Sequence, residues 1–106
     1  MRPEIVIDNR IAHKNDVFRK LGFGVTMTCG AVELPDVIGL MSKIKSYNDF
    51  TVDSDPYFEH DFGKLEWHGE KVFWKIDYYN NELTCFEDPL SPTCKRVMTV
   101  MLAEEY

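Results

Sequence analysis

Apolar residues return at three- and four-residue intervals in two stretches of the chain and at every second position in another, and that contrast predicts most of its elements. Between Asp8 and Leu21, the residues Ile11, Val17, Phe18 and Leu21 form one stripe. Asp8 or Asn9 is placed to cap the first turn and Gly22 to stop the last, so a short amphipathic helix is expected. Val25, Met27 and Cys29 alternate with Gly24, Thr26 and Thr28, which predicts a strand of about five residues. From Pro35 to Tyr47, Val37, Leu40, Met41, Ile44 and Tyr47 recur at helical spacing, and a proline suits the first turn. This helix should lay its apolar face on a sheet.

The strongest strand signal follows. Leu65 and Trp67 alternate with polar neighbours, and after Gly69 the residues Val72, Trp74, Ile76 and Tyr78 do the same, which predicts a hairpin closed by a tight turn. Asn80 and Asn81 tolerate positive φ and lead into Leu83–Phe86, expected to extend the hairpin into a meander. The last segment, Thr93 to Glu104, fits either period two or a helix, and the strand reading is preferred. The sum is an α+β fold: an antiparallel β-meander with two helices packed on one face, in a single domain spanning residues 1–106. No repeat or low-complexity linker divides it.

Composition sharpens this picture in two ways. With 44% hydrophobic and 13% aromatic residues, a chain of 106 residues can bury roughly two-thirds of its unfolded surface and should fold alone. Cys29, Cys85 and Cys94 have no CxxC spacing and are odd in number. They read as reduced, partly buried thiols rather than a disulfide framework or zinc site. No apolar run approaches the roughly 20 residues of a membrane span, and the first ten residues carry acids where a signal peptide would be apolar, so a cytoplasmic protein is expected.

Charge adds the second constraint. The net of −6 is unevenly spread: residues 1–48 hold seven bases and five acids, whereas 49–106 hold five bases and thirteen acids. Such a field disfavours direct contact with nucleic acid or an anionic membrane and favours a basic protein surface.

The acids concentrate in Asn48–Asp61, a stretch with Pro56, no base and no periodicity, expected to be a long ordered loop. Three readings of it compete: a solvated loop pinned by its aromatics, a metal site using carboxylates and His60, and a recognition surface whose carboxylates occupy phosphate-binding positions on a partner. Asp53 and Asp55 resemble the first ligand pair of a calcium loop, but the later ligands and the glycine are missing, so no metal or other cofactor is expected. The residues expected to bind a partner are Asp53, Asp55, Glu59 and Asp61, with Tyr57 as an aromatic anchor.

Walker, GxGxxG, HExxH and GxSxG signatures are absent, and no catalytic residue is assigned. The alternative is a small metal-dependent or acid/base enzyme centred on His60 and its neighbouring carboxylates. A homodimer in which exposed aromatics of the last strands pair two sheets edge to edge is the third possibility.

The segments NDVFR (Asn15 to Arg19), VTMTCGAVELP, NDFTVDSDPYFEHDFG, FWKIDYY and VMTVMLAEEY, spanning residues 10–106 in order, resemble a family of small, mainly proteobacterial proteins. It is catalogued as domain of unknown function three-seven-six-eight. The resemblance implies one intact domain and brings no activity, cofactor or catalytic residue. The small size of such proteins suits accessory genes of plasmids and phages. The leading expectation is therefore a non-catalytic acidic inhibitor that occupies the basic surface of a nucleic-acid-binding complex, for example an anti-CRISPR protein.

Overall fold

The computed structural model describes residues 8–106; the IVI triplet at positions 5–7 lies outside the described residues. The chain runs α1 (Arg10–Leu21), β1 (Val25–Met27), α2 (Cys29–Val32), α3 (Val37–Lys45), β2 (Phe62–Trp67), β3 (Glu70–Tyr79), β4 (Lys95–Leu102) and a closing 3-10 turn (Ala103–Glu105). The fold is α+β. Its sheet has the order β1-β4-β3-β2, with β2, β3 and β4 antiparallel to their neighbours and β1 parallel to β4.

Several expected elements form, although α3 is shorter than the expected Pro35–Tyr47 helix and leaves Pro35 outside, ahead of its Asp36 cap. Gly22 adopts a left-handed conformation (φ 75°) and ends α1 by donating its N–H to the Phe18 carbonyl. Asp36 caps α3 by accepting from the Gly39 N–H at 3.0 Å, and Leu40 and Ile44 point fully into the core. His68 and Gly69, both at positive φ, make the two-residue turn between β2 and β3. Lys95–Leu102 is a strand.

The strict antiparallel meander is corrected by the parallel pairing of β1 with β4, and two segments depart from expectation. Cys29 leaves the strand after three residues, because Thr28 caps a single helical turn by accepting from the Ala31 N–H. That turn, α2, is a third helix. Leu83–Phe86 does not become a strand. Asn80 accepts from the N–H groups of Thr84 and Cys85 and donates its own N–H to the Cys85 carbonyl, which folds the segment back on itself and leaves one isolated bridge, Tyr79 to Phe86. The third antiparallel strand is instead β4. The thiols also differ from expectation: all three are free, but Cys29 and Cys85 are exposed.

One face of the sheet carries the core. Val72, Trp74, Ile76, Met98 and Val100 pack against Ala31, Leu34, Leu40 and Ile44, with Phe18 of α1 beside them. Gly63 is required there, since a Cβ would overlap the Trp74 indole. The other face is open. Phe62, Phe73 and Tyr106 meet edge to face on it, with ring centroids 5.3 to 6.0 Å apart, beside a Lys75–Asp77 ion pair of 3.0 Å.

Candidate functional site

The acidic stretch joins α3 to β2, and its shape is set largely from outside, by α1. Arg19 is fully buried, and a buried guanidinium persists only when its donors are matched. Its Nε donates to the Ile44 carbonyl at 3.1 Å and one terminal nitrogen to the Tyr47 carbonyl at 3.0 Å, so it serves the freed carbonyls at the end of α3. The other terminal nitrogen donates to Asp16 at 2.9 Å. The cation also lies 5.4 Å from the Phe50 ring centroid and 5.2 Å from that of Trp74.

Asp16 carries the connection to the loop. Its carboxylate meets His60 Nδ1 at 3.0 Å, and the imidazole stacks on Phe50 with centroids 3.8 Å apart and planes 3° from parallel. His60 Nε2 faces the Asp55 carboxylate at 3.7 Å. Asp55 is only 3% exposed and accepts from the backbone N–H groups of Glu59 (2.9 Å) and His60 (3.2 Å). It holds the loop together from within, with Phe58 and His60 at positive φ on either side of Glu59.

A second anchor lies one residue along α1. Asn15, fully buried, donates through Nδ2 to the Glu59 carbonyl (2.9 Å) and the Tyr78 hydroxyl oxygen (2.8 Å), and its Oδ1 accepts from Arg96 Nε at 2.6 Å. The Tyr78 hydroxyl donates to Asp61 at 3.1 Å. Burial pushes the Glu59 carboxyl up to about 7, helped by its hydrogen bond to Asp61 and the charges of Asp61 and Asp55. Burial likewise raises the Tyr78 hydroxyl, although its bond from Asn15 opposes the rise.

The five residues expected to face a partner therefore separate. Asp53 and Tyr57 are exposed, Tyr57 to 80%. Glu59 and Asp61 come together, half-buried, against Tyr78. Asp55 is buried and has no surface to offer. The stretch has no base along the chain, but Lys64 and Lys75 join Asp53, Asp61 and Tyr106 around a shallow cleft of about 480 Å³ on the open face of the sheet.

Sequence reasoning missed Asn15, Asp16 and Arg19. The available signal was their position: Ala12, Asn15 and Arg19 share one helical face, and two of the three are polar. Among the described residues, no group of three His, Cys, Asp or Glu side chains is placed to hold a metal ion. None of the described helices is long and apolar enough to cross a membrane.

No curated protein and no solved structure matches the chain. A family model does match, over residues 25–105, so that β1 to the closing turn lie inside the match and α1 outside it. The family is described only as protein of unknown function (DUF3768), and the chain belongs to it.

Proposed function

We propose that the chain is a non-catalytic binding module of the cytoplasm that presents its acidic loop to a basic protein surface, inhibiting a nucleic-acid-binding complex such as a CRISPR effector. The acting residues are Asp53 and Tyr57 on the outside of the loop, with Glu59 and Asp61 at its base. Asp55 is reassigned from contact to scaffold, since its carboxylate is consumed by two backbone N–H groups. The observation that carries the reading is the docking of the loop on α1 through Arg19, Asp16, His60 and Asn15. A loop already held in one shape loses less conformational freedom on binding, which raises affinity without adding a contact.

The alternative, an acid/base enzyme centred on His60 and its neighbouring carboxylates, would use an imidazole oriented by Asp16 at Nδ1, but Nε2 points toward the buried Asp55 at 3.7 Å and one ring face is covered by Phe50, so the exposed loop surface favours the binding reading.

The test is affinity capture from host lysate with the wild-type chain and with Asp53→Lys/Tyr57→Ala, both changes lying on exposed side chains. A basic nucleic-acid-binding protein should be retained by the wild type at low salt, released at high salt, and lost from the variant. Equal retention by both proteins would show that the loop is not the contact.

A further inference from the structure

In a chain with 18 acids and 12 bases, one groove has no carboxylate among the described residues that line it. It holds about 620 Å³ between α1 and the start of β4. Val17, Leu21 and Phe23 form its apolar floor and are all exposed, Phe23 to 75%. His13, Lys14 and Lys95 stand around them. Scattered exposed apolar residues are ordinary, but several lining one concavity with a rim of a single charge sign mark a surface that is covered in use.

The covering group is present on the same chain. The loop 80–94 begins with a turn built on the Asn80 side chain, which accepts from the N–H groups of Thr84 and Cys85 and donates to the Thr84 hydroxyl at 2.9 Å. That turn holds Leu83 at φ 60°, a conformation a leucine keeps only when its surroundings impose it. Its product is a knob with Leu83 49% and Phe86 73% exposed, flanked by Glu82, Glu87 and Asp88. Two exposed apolar anchors among three acids complement an apolar floor rimmed by bases. Neither anchor is seated in its own groove, since both remain largely in solvent.

Knob and groove also occupy the same end of the sheet. The loop leaves β3 at Tyr79 and returns as Cys94 and Lys95, which are themselves groove residues, and Arg96 donates to the Pro89 carbonyl at 2.7 Å. Adjacent complementary patches at one end of the molecule allow a closed twofold contact, in which each copy gives what it receives. We propose that two copies of this chain associate about a twofold axis, with the Leu83–Phe86 knob of each seated in the α1–β4 groove of the other. This contact differs from the expected edge-to-edge dimer through the last strands, since β3 and the middle of β4 have strand neighbours on both sides. The dimer stands independently of what the acidic loop binds, and it would present two such loops to a multisite target.

Light scattering on the full chain after size exclusion tests it directly. The wild type should run at about twice the 12.4 kDa of one chain and dissociate on dilution. The groove variant Lys14→Glu/Lys95→Glu and the knob variant Leu83→Asn/Phe86→Ser should each weaken the dimer by about tenfold or more, while melting temperatures measured at dilutions where every protein is monomeric stay near the wild-type value. An equimolar mixture of the two variants keeps one intact knob in one intact groove. It should associate more tightly than either variant alone and less tightly than the wild type, which no unrelated dimer would reproduce. A wild type that stays monomeric at hundreds of micromolar assigns the groove to some other occupant and overturns the proposal; a dimer indifferent to both variants does the same.

Discussion

The two long acidic loops of this molecule reach order by different routes. Residues 48–61 add to their own bonds a dock on α1: Asn15 holds the Glu59 carbonyl and Asp16 holds His60, each 44 positions away along the chain, while Arg19 fixes Asp16 and the end of α3 from which the loop departs. Residues 80–94 are ordered from within, by Asn80 on Thr84 and Cys85 and by Glu87 accepting from the hydroxyls of Ser91 and Thr93. A loop that borrows the protein interior inherits the stability of that interior. A loop that supplies its own bonds can open alone, at a free energy well below that of global unfolding.

Replacing Arg19 with methionine should break this comparison most severely. The change keeps much of the volume but leaves the carbonyls of Ile44 and Tyr47 without their donor and Asp16 without its cation, close to the apolar Phe50 and Trp74 rings. Asp16 is partly exposed and can be rehydrated, so the cost comes mainly from the two unpaired carbonyls and the lost charged donor, about 2–3 kcal/mol, a large share of the stability of a domain this size. Urea denaturation should show that loss. Hydrogen exchange below the transition should show amides of 48–61 opening while those of 80–94 stay near their wild-type rates. Equal opening of both loops would mean that the second also leans on the core.

Asn80→Ala is the complementary change, with a smaller effect. The Thr84 and Cys85 N–H groups lose their acceptor, but they lie at the surface where water can replace it, so the cost is about 1 kcal/mol. Faster exchange should be confined to the residues after Tyr79, and a global loss matching that of Arg19→Met would erase the distinction drawn above.

The same contrast explains what could be read from the sequence. The hairpin at His68 and Gly69 and the Gly22 stop of α1 are legible because their causes lie within a few residues of their effects. Leu83–Phe86 looked like a strand, because its apolar content was visible while the competition from the Asn80 side chain depends on a turn geometry that composition does not specify. The parallel pairing of Val25–Met27 with Met98–Val100 joins residues more than seventy positions apart and has no local signature. The absence of periodicity in 48–61 marks it as a loop, but composition does not tell its inner carboxylates from its outer ones. Asp53 and Asp55 are two positions apart in a stretch without regular periodicity, and only the turn that aims the Glu59 and His60 N–H groups at Asp55 draws one inward and leaves the other in water. Arg19 was passed over for a related reason, since a charged residue within an amphipathic helix is ordinarily assigned to solvent.

The subtlest difference between the loops should appear on titration. Glu59 is held up at about 7 by burial, and by its bond to Asp61 and the charges of Asp61 and Asp55, against 4.5 for a free glutamate. The native state therefore keeps a proton that the unfolded chain has released, and between pH 4.5 and about 7 stability falls as pH rises. Glu59→Gln removes the group that titrates. Measured against the variant, the wild type should lose ground through that window and be less stable by about 1 kcal/mol at pH 8, a figure discounted for the partial exposure of the site. Urea melts of both proteins from pH 4 to 8 would reveal the slope, and exchange in residues 48–61 should follow it while exchange in 80–94 does not. Because a basic partner favours the charged carboxylate, the same titration should tighten binding at the acidic loop as pH rises through 7. Parallel profiles for wild type and variant would mean that the Glu59 side chain is hydrated like any surface acid, and that α1 holds the backbone of the loop without burying its base.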